Sequence, residues 1–197
     1  ESERILDAVI NAVTGVKAAE REKQKAGTIG TAAHAWIEWR TRVMLGQAPG
    51  PEPVIPETAQ IAVEGWKDWA KAVEFRPTHA EQTVYCVSCG YAGTFDWIGY
   101  VRDRLTLGDI KTAKAVYPEN FLQSRAYVHA AKRSLKVHPT DGLILRLPKT
   151  LENPHFEAMP VPETDLSVFR AALHLWKWQR AMQGLPSGST RHNRHDG

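Results

Sequence analysis

The stretch from residue 93 to residue 111 constrains the fold most, because it predicts a β-hairpin. Two β-rich runs, 93–101 and 104–111, are separated by the polar pair Arg102-Asp103. A pair of this kind between two apolar runs is typical of a tight turn. The sequence therefore predicts two antiparallel strands joined by a two-residue turn.

The predicted register brings two acids together. Val101 faces Arg104 next to the turn, and counting outward along both strands sets Asp96 opposite Asp109. Directly opposed residues have Cβ atoms about 4.5–5.5 Å apart, and like charges there are destabilising unless a cation lies between them. Lys111 follows on the same face, about 6.6 Å further along the strand. The hairpin thus predicts a two-carboxylate metal site beside a lysine.

These residue types suit phosphodiester hydrolysis. That reaction needs an activated water, a neutralised phosphate and a stabilised leaving oxygen, and one or two divalent cations held by carboxylates serve all three needs. Asp96 and Asp109 are the predicted oxygen ligands. Lys111 is predicted either to orient or deprotonate the attacking water, or to stabilise the pentacovalent phosphate as an ammonium ion.

The order Asp96, then Asp109-Ile110-Lys111, resembles the motif of the PD-(D/E)xK nuclease superfamily. Two flanking motifs resemble its RecB-like branch. Residues 30–34, Gly-Thr-Ala-Ala-His, match a G-x-x-x-H helix, and residues 123–127, Gln-Ser-Arg-Ala-Tyr, match a Q-x-x-x-Y helix. The resemblance runs from about residue 27 to about residue 182 and is best to the RecB-like and phage-type exonucleases.

The resemblance implies an α/β fold with a restriction-endonuclease-like core, in which a central mixed β-sheet is flanked by helices. It implies one or two Mg²⁺ or Mn²⁺ ions. The implied metal ligands are His34, Asp96, Asp109 and the backbone carbonyl of Ile110. Glu81 stands where phage-type enzymes often carry another acid, as a ligand of a second ion or a residue supporting the first. Gln123 and Tyr127 are implied to contact the DNA backbone or to brace the active site.

The implied function is a metal-dependent DNA exonuclease that works from DNA ends in recombination, repair or the processing of phage and mobile-element DNA. Its partners would be single- or double-stranded DNA, a recombinase or helicase, and other copies of the chain. Two alternatives are a non-catalytic nucleic-acid-binding module of the same fold and a restriction-type endonuclease. The intact Asp96, Asp109 and Lys111 favour catalysis, and the RecB-like motifs favour an exonuclease.

Charge is distributed unevenly along the chain. The net charge is only +3, but residues 100–150 carry ten basic side chains against four acidic ones. A basic excess around the predicted site is what binding to a phosphate backbone requires. Lys114 and Arg125 are the predicted DNA contacts of this group.

Composition predicts one globular domain at 1–186, followed by a disordered basic tail at 187–197. A chain of 197 residues with 43% hydrophobic residues is long enough for a single core. No apolar run approaches the ~20 residues of a membrane span, and no signal-peptide pattern opens the sequence. We expect a cytoplasmic protein without a membrane partner.

Cys86-Val-Ser-Cys89 is half of a metal-binding pattern. An iron–sulfur cluster needs four cysteines and the chain has two, so none is expected. The pair is predicted to lie in a turn between strands. A zinc ion shared with a histidine, His79 being the nearest, or with another subunit is an alternative. A thioredoxin-like redox pair is a further one.

The remaining pattern predicts helices on either side of the strand region. Gly27–Gly30 is expected to break the first helical stretch. The predicted helices cover 1–25, about 31–45, 57–75, 118–136 and 165–182, and the predicted strands lie within 82–111, 142–147 and 156–161.

Overall fold

The computed structural model describes residues 20–148, 155–163 and 166–184, and of residues 20–29 the backbone only. Within these ranges four helices flank a five-stranded sheet, so the predicted α/β class is confirmed. The helices are α1 (Glu20–Met44), α2 (Glu57–Ala72), α3 (Pro118–Ser134) and α4 (Ser167–Met182). The strands are β1 (Arg76–Cys86), β2 (Tyr91–Val101), β3 (Arg104–Thr112), β4 (Asp141–Leu147) and β5 (Glu157–Pro160).

The sheet is mixed, as predicted. Its strand order is β1-β2-β3-β4-β5, and neighbours are antiparallel except for the parallel pair β3 and β4. Parallel strands need a crossover connection, which α3 provides here. Helix α3 is therefore held over the sheet beside the strand that carries Asp109 and Lys111.

The predicted hairpin is confirmed, and its register is confirmed from the turn as far as Trp97 and Gly108. Val101 pairs with Arg104, and Ile98 pairs with Leu107. Arg102 has φ 55° in the turn, the left-handed conformation that two-residue hairpin turns use.

Strands β2 and β3 stop pairing about halfway along their length. Their pairing ends at Trp97 and Gly108. Beyond this point β2 stays paired with β1, and β3 stays paired with β4, where Asp109 faces Ile144. The predicted partners Asp96 and Asp109 lie at the first position past the end of the ladder. We call this divergence the strand fork.

Each face of the sheet has its own core, and β2 changes sides at the fork. Residues two apart on a regular strand share a face. Phe95, however, packs with the core under α3 and α4, whereas Trp97 packs with the core under α1 and α2. The alternation of β2 is therefore broken at Asp96, between them.

Gly108 lets the Trp97 ring cover the last paired position. A Cβ atom on Gly108 would lie 1.9 Å from Trp97 Cε2, so no larger residue fits without displacing the ring. On its other side the indole packs edge-on against Phe75, with ring centroids 4.7 Å apart. The end of the ladder is thus fixed by a fully buried aromatic side chain.

The predicted break at Gly27–Gly30 is wrong, because α1 runs through both glycines. Each glycine costs a helix about 1 kcal/mol relative to alanine, but Gly30 has a packing role. A Cβ atom there would lie 3.0 Å from the Cβ of Thr112, so glycine lets α1 approach the end of β3.

The part of the predicted first helix before residue 20 and the predicted tail at 187–197 lie outside the described residues. In the part of the chain that is described, no helix is both long enough and apolar enough to cross a membrane.

Candidate functional site

The strand fork opens a cleft of about 290 Å³ between α1 and α3. All the predicted catalytic residues and metal ligands line it, apart from Glu81. Its walls are formed by His34, Thr94, Asp96, Asp109, Ile110, Lys111, Gln123 and Tyr127. Thr94 is the one lining residue that the sequence did not predict.

At the fork, the Asp96 side chain accepts a hydrogen bond from β3 in place of the backbone of β2. The backbone N–H of Ile110 donates to Asp96 Oδ2, with 2.5 Å between the nitrogen and the oxygen. The other carboxylate oxygen, Oδ1, lies 3.7 Å from His34 Nδ1. That distance is too long for a hydrogen bond, so the contact is electrostatic. One carboxylate thereby connects β2, β3 and α1.

Asp109 is a buried carboxylate beside a lysine. Its side chain is 5% exposed, and its Oδ2 atom lies 2.8 Å from Lys111 Nζ. The two groups form an ion pair without hydrogen-bond alignment, so Oδ2 has no aligned donor among the described residues. Burial raises the pKa of Asp109; Lys111 lowers it, and the neighbouring charge of Asp96 raises it further. This oxygen retains the capacity to bind a cation.

Lys111 is held from the other side by a chain of two side chains on α3. Its Nζ donates to Gln123 Oε1 at 2.9 Å, and Gln123 Nε2 donates to the Tyr127 hydroxyl at 2.9 Å. Gln123 and Tyr127 are buried, with 7% and 4% of their surface exposed. Of the two roles predicted for this pair, the burial and these hydrogen bonds favour bracing the site.

His34 points from α1 toward the two acids. Burial lowers its pKa, but the proximity of Asp96, and then the charge of Asp109, outweigh burial and leave the pKa of His34 raised. The imidazole therefore takes part in the electrostatics of the cleft.

Glu81 does not line this cleft, but a smaller cavity of about 80 Å³ that shares His34 and Asp96 with it. Arg42 NH1 lies 2.6 Å from Glu38 Oε1, and Arg42 NH2 lies 3.8 Å from Glu81 Oε2. A hydrogen bond with Glu38, then burial, then the charge of Glu38 raise the pKa of Glu81 to about 7. Sequence reasoning missed Arg42, although it follows His34 and Glu38 at intervals of four residues along one helix face.

Not all of the basic side chains counted in residues 100–150 are available to bind a phosphate backbone. Arg146 is 2% exposed and pairs with Glu157 at 2.8 Å, so it does not face solvent. Arg104 pairs with Asp141 through two hydrogen bonds, of 2.5 and 2.8 Å. The two predicted DNA contacts, Lys114 and Arg125, do not line the cleft.

The residues at the fork suit a hard divalent cation in charge and in ligand type. Asp96, Asp109 and the Ile110 carbonyl supply oxygen atoms, which Mg²⁺ prefers, and the His34 imidazole suits Mn²⁺ better than an all-oxygen site does. Asp109 Oδ2, buried and without an aligned donor, marks where positive charge is needed, and the Lys111 ammonium supplies some of it.

The candidate metal ligands at the fork are more widely spaced than a second group of side chains that could bind a metal ion. Among the described residues, three such atoms lie within 4.8 Å of one another at Cys86, Cys89 and His129. The fork would therefore have to close around an ion.

Comparison with known proteins identifies no family. No family profile matches the sequence, and no curated protein matches it. Among solved structures, the crystal structure of SSO0001 is similar to this chain with 11% sequence identity and a TM-score of 0.35, over 68% of this chain and 70% of that one. A similarity of this size assigns neither a fold family nor a function.

The raised pKa of Glu81 predicts a pH-dependent effect of Glu81→Gln on stability. The native state shifts this pKa from 4.5 to about 7, so it holds the proton more tightly than the unfolded chain does. The stabilisation is complete below about pH 4.5 and is lost as the pH rises through about 7. Glutamine keeps the hydrogen bond and removes the charge. In EDTA, urea unfolding should therefore show the variant more stable than wild type at pH 8 and no more stable at pH 4.

The effect should be modest, because 43% of the Glu81 side chain is exposed. Glu74→Gln, at an exposed position just after α2, is the matched control and should show no such change between the two pH values. An equal stability difference for Glu81→Gln at pH 4 and pH 8 would contradict this assignment.

Proposed function

We propose that this chain is a metal-dependent deoxyribonuclease with a restriction-endonuclease-like core, and that it degrades DNA from its ends. The observation that carries the proposal is the strand fork, where Asp96, Asp109 and Lys111 line one cleft together with His34. Two carboxylates, an ammonium group and an imidazole in one cleft are the groups that metal-assisted hydrolysis of a phosphodiester uses.

A Mg²⁺ or Mn²⁺ ion would be held by Asp96, Asp109, the carbonyl of Ile110 and His34. When bound, it would neutralise charge on the phosphate and lower the pKa of a coordinated water. Asp96 is well suited as a ligand because its hydrogen bond to Ile110 already fixes the carboxylate. Glu81, tied to Glu38 and Arg42, supports Asp96 from the adjoining cavity or binds a second ion.

Lys111 is the residue that would act on the attacking water. Its ammonium group is oriented by Asp109 and Gln123, and only 23% of its side chain is exposed. As an ammonium ion it would orient the water, or offset the charge that develops on the phosphate as the new bond forms to phosphorus; only as the neutral amine would it take a proton from the water. The departing 3′ or 5′ oxygen would receive a proton from water.

Gln123 and Tyr127 would preserve the position of Lys111. The Tyr127 ring closes on β2 at Gly93, where an added Cβ would lie 2.4 Å from Tyr127 Cε1. Because the tyrosine is packed this tightly, its hydroxyl is held in place. It therefore fixes Gln123, which in turn fixes Lys111 through their hydrogen bond. Such pre-organisation supports catalysis when displacements of about 1 Å matter.

Attack from DNA ends is supported by the resemblance of the G-x-x-x-H and Q-x-x-x-Y motifs to those of RecB-like exonucleases. Contacts with the phosphate backbone position DNA without reading its sequence. We therefore propose that strand geometry, rather than a base sequence, selects the bond that is cut.

Removing either Asp109 or Lys111 should abolish hydrolysis while the protein stays folded. Asp109→Ala removes an oxygen ligand, and Lys111→Ala removes the group next to the attacking water, so each should slow cleavage at least ~10²-fold. Rates are measured on end-labelled linear DNA with Mg²⁺ or Mn²⁺, and folding is checked by circular dichroism.

Two exposed residues provide matched controls. Asp103 is a fully exposed turn residue, and Lys132 is exposed on α3, so Asp103→Ala and Lys132→Ala should keep wild-type turnover. Turnover at the wild-type rate in Asp109→Ala or Lys111→Ala, with contaminating nuclease excluded, would show that the fork is not the active site.

Linear DNA should be degraded and covalently closed circles of the same sequence should be spared. Because the contacts are ionic, the rate on linear DNA should fall steeply between roughly 50 and 200 mM salt. EDTA should abolish the reaction. Cutting of closed circles at the linear rate, with fragments of defined sequence, would replace the exonuclease proposal by an endonuclease one.

A further inference from the structure

The turn between β1 and β2 presents two thiols side by side. Cys86 ends β1 and Cys89 lies in the turn, and their sulfur atoms are 2.6 Å apart. The turn is closed by the Gly90 N–H, which donates to the Cys86 carbonyl at 2.8 Å, and Gly90 has φ +74°. Glycine adopts this conformation without strain, so the chain turns sharply enough to direct both thiols to one side.

Helix α3 places a histidine against these thiols. One ring nitrogen of His129 and the sulfur atoms of Cys86 and Cys89 all lie within 4.8 Å of one another. Around a tetrahedral zinc ion with bonds of about 2.3 Å to sulfur, two thiolates would stand about 3.8 Å apart. The two sulfur atoms would have to separate by about 1 Å, which rotation of the Cys89 side chain in the turn allows.

The hydrogen bonds of His129 assign a lone pair to Nε2, which would bind a metal in place of Arg133. Arg133 Nε donates to His129 Nε2 at 3.0 Å, so Nε2 carries a lone pair and Nδ1 carries the proton. Nδ1 then donates to the Tyr91 hydroxyl at 2.8 Å, and that hydroxyl donates to the Ala126 carbonyl at 3.0 Å. Metal-binding histidines are oriented by hydrogen bonds of this kind on the nitrogen that does not bind. Arg133 is exposed and has solvent to move into.

Basic side chains of α3 and α4 flank the turn and its histidine. Lys177, on α4, donates to the Cys89 carbonyl at 3.0 Å. The Arg133 guanidinium stands beside His129 on the other side. The turn is therefore contacted by α3 and α4 together.

We propose that Cys86, Cys89 and His129 form a binding site for a soft transition-metal ion, and that zinc is the ion it takes. Two thiolates and an imidazole are typical zinc ligands. A site of this composition leaves the fourth position to water or to another ligand. The proposal is independent of the nuclease chemistry, because the fork is built from different residues.

A zinc ion bound here would connect the β1–β2 turn to α3, the helix that carries Gln123 and Tyr127. His79, the nearest histidine in the sequence, is not a ligand. It lies seven residues before Cys86 on an extended strand, roughly 20 Å away, and its Nδ1 contacts the Thr78 hydroxyl at 3.0 Å.

Titration of the whole chain with Co²⁺ and Zn²⁺ tests the site. The protein is purified under reducing conditions and stripped with a chelator. One equivalent of Co²⁺ should then produce thiolate-to-cobalt charge-transfer bands, which one equivalent of Zn²⁺ should abolish and excess Mg²⁺ should not. Zn²⁺ should also raise the melting temperature and protect both thiols from alkylation in the wild-type chain, because binding to the native state stabilises it.

Loss of one ligand should weaken Zn²⁺ binding by at least ~10²-fold in Cys89→Ser and in His129→Gln. His79→Gln and Val87→Ala, the latter at a side chain of the same turn that is 84% exposed, are matched controls and should bind as wild type does. Asp109→Ala should also keep the charge-transfer bands, which separates this site from the fork.

Three results would overturn the proposal. The first is that the wild-type chain does not bind Zn²⁺ stoichiometrically. The second is a cobalt spectrum without thiolate bands, and the third is undiminished Zn²⁺ binding by a folded His129→Gln variant. A mass two hydrogen atoms lower, persisting in excess reductant, would show instead that the two cysteines form a stable disulfide. If a variant does not fold, the alkylation experiment on the wild-type chain decides.

Discussion

The hydrogen bond from the Ile110 backbone to Asp96 makes the strand fork possible. When two strands stop pairing inside a folded domain, the freed backbone groups need new partners, and a buried group left without one costs about 1–3 kcal/mol. Here a side chain of β2 accepts the freed N–H of β3, at 2.5 Å. The strands separate while this N–H keeps an acceptor, and the resulting gap becomes the cleft.

The cleft draws its parts from both layers of helices. His34 comes from α1 on one face of the sheet, and the bracing pair Gln123 and Tyr127 comes from α3 on the other. This is possible because Asp96 lies where β2 changes sides, between Phe95 in one core and Trp97 in the other. A fully regular strand would present its acid to one layer only. The irregularity therefore determines which groups meet.

Much of this arrangement was predictable because it is local. The β-rich runs and the polar pair between them fix the hairpin register, and that register fixes which acids approach each other. The fork itself was not predictable in this way. It depends on β3 remaining paired with β4, a strand more than thirty residues away, after its pairing with β2 has ended, and on the Trp97 ring that ends the ladder over Gly108. Neither contact leaves a periodic pattern in the sequence.

The incorrect and missed sequence predictions also result from contacts between residues that are distant in the sequence. Gly27–Gly30 has the local signature of a helix break, but packing of Gly30 against Thr112 favours a continuous helix. Arg146 counts as a surface charge by composition, yet it is buried against Glu157. His129 was overlooked because about forty residues separate it from the cysteines, and only the packing of α3 on the β1–β2 turn brings them together.

The central claim is that the fork cleft holds a hard divalent cation. The most direct test is a crystal structure of the protein grown with Mn²⁺, with anomalous diffraction measured to locate the ion. We expect an anomalous peak in the cleft from an ion bound by carboxylate oxygens of Asp96 and Asp109, and we expect no peak in Asp109→Ala crystals grown in the same way. Well-ordered crystals in saturating Mn²⁺ that show the cleft without a peak, and Lys111 still paired with Asp109, would contradict it.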